Sequence, residues 1–182
     1  MMPDPNLTAA IREAYASVPS DVVIMHTLSL AHPNWKDSSG NPTELYFIRE
    51  HQAFTAALEP DEHGNGGKIV TFQPAAFDLD LPKVDTVPVP EVVVRIDNVG
   101  GELLPYLDLA APSKERITLT YRPYLSNITS QPQMIPPLQL TLAEVSVNTL
   151  TIQGRARLVD IGNRSFPNLD YTLEKFPSLA NS

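Results

Sequence analysis

The chain has 182 residues and a mass of 20.0 kDa, which is enough for one domain with a sizeable core. Its 18 prolines are typical neither of a helical bundle nor of a flexible chain, and the lack of cysteine excludes disulfides, thiolate zinc sites and iron–sulfur clusters. The formal charge of −8 disfavours a nucleic-acid-binding surface, which needs clustered Lys and Arg. We therefore expect one globular domain with no nucleic-acid partner.

The first residues predict a short N-terminal helix over 1–19. Asn6 or Thr8 can cap this helix, and Pro19 ends it. The same segment lacks the basic and apolar regions of a secretory signal, and no later stretch is long and apolar enough to span a membrane. We expect synthesis in the cytoplasm and no membrane span.

The remainder of the first half predicts short strands bounded by prolines. These strands are expected over 22–31, 44–50, 68–73 and 78–81. The dipeptide His32-Pro33 is expected to end the first strand, and the polar cluster 37–42 is expected to turn the chain into the second.

The second half predicts further strands and one central helix. Alternating or β-branched segments occur over 91–97, 116–122, 138–142 and 149–153. Helical spacing occurs over 102–111, with Pro105 in the first turn, and the proline-rich segment 126–137 is typical of an extended loop or arm. The predicted fold is a single mainly β domain over 1–182, an antiparallel β-sandwich or split barrel with an N-terminal helix and one short central helix.

The sequence offers little catalytic chemistry. The histidines lack the spacing of a metal site: His26, His32, His51 and His63. Asp78 and Asp80 share one strand face and could bind calcium or act as an acid–base pair, but solvent-facing alternation explains them more simply. We expect no cofactor, no metal and no enzymatic activity.

The charge is concentrated in one half of the chain. Residues 1–91 carry five basic and thirteen acidic residues, which account for the whole net charge. Solvated loops explain this imbalance, and so does an acidic face that docks a basic neighbouring subunit. Both interpretations stay open.

Several aromatic, basic and apolar residues are candidates for a subunit interface, because such side chains are enriched at interface centres. The candidates are Trp35, Arg122, Tyr124, Ile128, Met134 and Phe176. Core packing explains the aromatic rings equally well, and a sugar-binding surface would also use them.

A resemblance to a known family rests on the order of five motifs. They are Leu28-Ser29-Leu30-Ala31-His32-Pro33, Tyr46-Phe47-Ile48-Arg49, Phe72-Gln73-Pro74-Ala75-Ala76-Phe77, Val94-Arg95-Ile96-Asp97-Asn98-Val99 and Phe166-Pro167 continuing to Leu179. Over about Leu28 to Leu179 the chain resembles a family of small tailed-phage proteins known as a domain of unknown function, similar to distal-tail or M-type minor tail proteins.

The resemblance implies a structural component of the virion tail tip that links the tail tube to the hub and fibres. Implied partners are other tail proteins and further copies of the chain in a ring, as a trimer or hexamer, with no catalytic residues. The resemblance does not place the segment 126–137, and our separate hypothesis is that it reaches across to the next subunit. The alternative is a carbohydrate-binding receptor-recognition module that uses an exposed Trp35, and a hydrolase using Asp78 and Asp80 is a third candidate.

Overall fold

The computed structural model describes residues 22–60, 66–80, 91–97, 101, 103–148 and 151–158. The predicted N-terminal helix over 1–19 and the candidate interface residue Phe176 lie outside these ranges.

The described chain is mainly β, as predicted, with one short helix. In chain order the elements are β1 (Ile24–Lys36), β2 (Pro42–Ile48), β3 (Phe54–Ala57), β4 (Ile69–Pro74), β5 (Phe77–Asp80), β6 (Glu91–Asp97), α1 (Leu104–Ala110), β7 (Thr118–Leu125), β8 (Leu138–Val147) and β9 (Thr151–Leu158). The central helix is therefore confirmed, with a proline in its first turn as expected.

The nine strands form one sheet in the order β3-β4-β2-β1-β7-β8-β9-β6-β5. All neighbours are antiparallel except β2 and β4, which pair in parallel at their last residues and depart from the predicted antiparallel arrangement. Although β4 and β5 lie near opposite flanks, only Ala75 and Ala76 separate them along the chain.

This two-residue link requires the sheet to curl until its flanks meet. The Ala75 N–H donates to the carbonyl of Ile48 on β2 at 2.9 Å, and the Asp97 N–H at the end of β6 donates to the carbonyl of Ala76 at 2.8 Å. The described sheet is a curled body whose ladder is not closed.

The main core fills the inside of the curl. Alternate residues of the strands point inward, as their period of two requires, and α1 covers them from one side. The core includes Leu28, Leu30, Trp35, Phe77, Val92, Val94, Ile96, Leu103, Ala110, Ile117, Leu119, Tyr121, Met134, Leu140, Leu142, Ile152 and Ala156.

A second layer covers the outer face of β1, β2 and β7. It consists of the β3–β4 pair, whose apolar residues pack on those strands in a separate cluster. That cluster is Ile48, Ala56, Leu58, Val70, Phe72 and Tyr124. As a result β7 is buried on both faces, whereas its sequence alternation predicts a half-buried strand.

Two further differences from the sequence-based expectation have local causes. β1 continues through His32-Pro33 to Lys36, because its pairing with β2 shifts register between Ala31 and Lys36 and Pro33 lies in this irregular stretch. β3 was not predicted, since four residues that include two alanines carry little β-strand signal.

The segment 126–137 packs against its own chain. The Gln133 N–H donates to the carbonyl of Pro123 at 2.8 Å, and the carbonyl of Thr129 accepts a hydrogen bond from the Ala57 N–H on β3 at 2.8 Å. Gln133 and Met134 are buried. The segment is thus a loop held on the body, and the described structure gives no support to an arm that extends away from it.

The burial of Trp35 can be measured directly, because it is the single tryptophan of the chain and is 0% exposed. We expect blue-shifted tryptophan emission that acrylamide barely quenches in buffer, and full quenching after unfolding in urea. Native emission already typical of a water-exposed indole would contradict this placement.

Candidate functional site

Most candidate interface residues lie inside the subunit. Trp35, Arg122, Tyr124 and Met134 are buried, and Ile128 is half-buried beside Leu125, which pairs with it in an isolated bridge. A surface role for the four buried side chains therefore has no support in the described structure.

Trp35 fixes α1 to the curled sheet. Its Nε1–H donates to the carbonyl of Tyr106 at 2.7 Å, and the rings of Trp35 and Tyr106 meet edge to face with centroids 5.4 Å apart. The sugar-binding hypothesis required an exposed Trp35, so the burial of this ring removes its main argument.

Arg122 forms a bidentate ion pair with Glu59 between the two layers. Its Nε and Nη2 donate to the two carboxylate oxygens of Glu59 at 2.8 and 2.9 Å, and Nη1 donates to the Ser29 hydroxyl at 2.7 Å. Arg122 is 2% exposed and Glu59 is 4% exposed. Bidentate pairing satisfies the planar guanidinium, so burial of this charge is tolerated.

The hydrogen-bonded carboxylate of Glu59 raises the pKa of Arg122, against the effect of burial, so the guanidinium stays charged. The backbone of Arg122 is also engaged, because its carbonyl accepts a hydrogen bond from the Thr27 hydroxyl at 2.6 Å. Arg122 on β7, residues of β1 and Glu59, which lies two residues after β3, therefore form one buried polar cluster.

An aromatic cluster borders the ion pair. The Phe72 ring meets the rings of Tyr124 and Tyr46 at centroid distances of 5.8 and 5.5 Å, and Phe54 meets Tyr124 at 5.5 Å. The Tyr124 hydroxyl donates to the carbonyl of Ala57 at 3.0 Å. Burial raises the pKa of the Tyr46 phenol and of the Tyr124 phenol above the ordinary value for tyrosine.

A charged cleft of about 520 Å³ opens where β2 ends and β5 begins. Its ionisable lining residues are Arg49, Glu50, His51, Asp78, Arg95 and Asp97. Arg49 Nη2 lies 3.2 Å from a carboxylate oxygen of Asp78, and both side chains are more than half exposed. Asp78 thus takes part in a surface ion pair, and such pairs contribute little to stability.

Sequence reasoning missed this cleft because its residues come from four separate segments of the chain. Of the Asp78–Asp80 pair, Asp78 lines the cleft. Nothing in the local sequence pattern indicates that Arg49 and Arg95 lie beside it. The cleft mixes both signs of charge, so it does not select a purely anionic or cationic ligand.

His26 is joined to one lining residue of this cleft through the backbone, because the Arg49 N–H donates to the His26 carbonyl at 3.0 Å. Its Nδ1 is 2.7 Å from the Tyr121 hydroxyl, and burial, with a smaller effect of Arg49, lowers its pKa. Within the described residues, no three His, Asp or Glu side chains are grouped closely enough to hold a metal ion.

Exposed apolar side chains are found around α1 and the end of β8. Val145 and Val147 line a groove of about 450 Å³ together with Leu107 on the helix, and Leu109 is exposed on the same helix. Exposed apolar clusters are typical of protein-interaction surfaces.

None of the described helices is long and apolar enough to cross a membrane.

The buried phenols predict alkaline sensitivity. An unfolded tyrosine loses its proton near pH 10, whereas folded Tyr46 and Tyr124 keep theirs to higher pH. Above about pH 10 the unfolded chain therefore binds fewer protons than the folded chain, so the free energy of unfolding falls as pH rises.

We expect ultraviolet titration of the native chain to show delayed ionisation of these two among its six tyrosines. In urea unfolding, Tyr124→Phe should show a smaller alkaline loss of stability than the unmodified chain. Ionisation of all six near pH 10 in a folded chain would refute the expected shift.

Comparison with known proteins gives one family. A search of the curated proteins finds no match to the chain. The family model described as a domain of unknown function, DUF1833, matches residues 10–171, which is most of the chain. The chain belongs to the DUF1833 family.

Proposed function

We propose that the chain is a structural component of the tail tip of a long-tailed bacteriophage, where it links the tail tube to the hub and fibres. The observation that carries the proposal is the order of the motifs over residues 28–179, which resembles tail-tip proteins and falls largely within the family match. The proposed role is structural rather than enzymatic, and the proposed location is the virion tail.

The fold supports a role as an assembly subunit. Two apolar clusters pack on opposite faces of the central strands, and the Arg122–Glu59 pair joins β7 to the outer layer. A subunit that docks through its outer surface needs this kind of defined body.

The groove between α1 and β8 supplies the best supported docking surface. Its lining combines exposed Val145 and Val147 with charged side chains of both signs, Asp108, Lys114, Glu115 and Arg116. Protein interfaces likewise combine apolar side chains with polar and charged ones. We propose that a neighbouring tail-tip subunit binds here, and that heterologous contacts close three or six copies into a ring.

The proposal is tested in the phage or prophage that encodes the chain. Deletion of the gene should give particles without an intact tail tip, and a plasmid copy should restore infectivity. Quantitative mass spectrometry of purified virions should find the chain in a multiple of three copies. Infectious virions that lack the chain would refute the proposal.

The docking groove is tested by Val145→Asp combined with Val147→Asp, because both residues line it. Both side chains are exposed, so folding should change little, whereas incorporation into virions should fall by about tenfold or more. Ile69→Asp is the matched control, because Ile69 is exposed on β4 away from the groove. Equal incorporation of both variants would exclude the groove as a subunit contact.

A further inference from the structure

The outer layer has its own apolar cluster and few connections to the sheet. This layer, called the flap below, comprises residues 54–59 and 69–74. On the β2 side it pairs only through Phe47 with Gln73 and Ile48 with Pro74. Its apolar side chains belong to a cluster separate from the main core.

On the other side, β7 and the loop after it hold the flap through polar contacts. Arg122 binds Glu59, the Tyr124 hydroxyl donates to the Ala57 carbonyl, and the Thr129 carbonyl accepts from the Ala57 N–H. All three contacts join the flap to one strand and its following loop. They can therefore break together without disturbing the ladder from β7 through β8 and β9 to β6.

The flap is held with less free energy than the main core, which favours opening of the flap alone. A buried ion pair gains little net free energy, because removing both charges from water offsets most of their attraction. The flap is then held mainly by the small cluster around Phe72 and Val70, whereas the main core unites seven strands and α1. Segments with few buried contacts open at lower free energy than the whole molecule.

We propose that the flap opens as a unit while the curled sheet stays folded, and that the Arg122–Glu59 pair, called the latch below, fixes the closed position of the flap while adding little net free energy to closure. Residues 49–53 take up the movement, and the flap pivots at its other end, where Ala75 and Ala76 stay hydrogen-bonded to Ile48 and Asp97. Opening uncovers Ile48 on β2 and the Tyr124 ring on β7, which are fully buried in the closed form. The molecule thus contains a covered apolar face that a conformational change can expose.

Hydrogen exchange measured by mass spectrometry on the full chain tests the proposal. In native buffer, peptides from the flap should exchange about tenfold or more faster than protected amides of β1 and β7. Exchange of the flap at the same free energy as β1 and β7 would overturn the proposal.

Variants of the latch separate local opening from general instability. Arg122→Met removes the bidentate guanidinium from the buried Glu59 carboxylate, so flap exchange should accelerate about a hundredfold or more while β6, β8 and β9 stay unchanged. Arg122→Met with Glu59→Leu removes both charges and should return flap exchange to within about tenfold of the original rate.

One control and one milder variant complete the test. Arg155→Met, the control, removes an exposed guanidinium 4.0 Å from Glu144 and should leave flap exchange unchanged. Tyr124→Phe deletes only the hydroxyl that donates to the Ala57 carbonyl and should accelerate exchange modestly across the whole flap. If Arg122→Met accelerates exchange equally in all strands, the Arg122–Glu59 pair supports the whole fold and is not a latch.

Discussion

The burial of β7 on both faces is the constraint on which the rest of the structure depends. Its inner residues Leu119 and Tyr121 belong to the main core, while Thr120, Arg122 and Tyr124 face the outer layer. A strand in this position cannot leave polar side chains without partners. The bidentate pair with Glu59 and the hydrogen bond to Ser29 meet this need, and they also fix where the outer layer sits.

The sequence predicts the strands better than their arrangement. Period-two alternation located most strands, and helical spacing with Pro105 in the first turn located α1, because these signals are local. The burial of Arg122 has no local signal. Its partner Glu59 is 63 residues away and its partner Ser29 is 93 residues away, so an outward-facing arginine and a buried one look alike in sequence.

The lack of a local signal for burial also explains why most of the candidate interface residues lie inside the subunit. Aromatic side chains such as Trp35 and Tyr124 suit an interface and a core equally well, and the structure places both in cores. The charged cleft and the groove beside α1 depend on distant segments that meet only after the sheet curls. Interaction surfaces of this kind become visible only in three dimensions.

The link formed by Ala75 and Ala76 limits where the chain can change in length. Because these two residues join opposite flanks of the sheet, an insertion between them would let the flanks separate and loosen the curl. The turn after β1 is different, since the Asp37 carboxylate accepts hydrogen bonds from the Ser39 and Asn41 N–H groups in an exposed loop with Gly40 at a φ of 83°. A peptide tag or a fused domain belongs at that turn, where added residues extend into solvent.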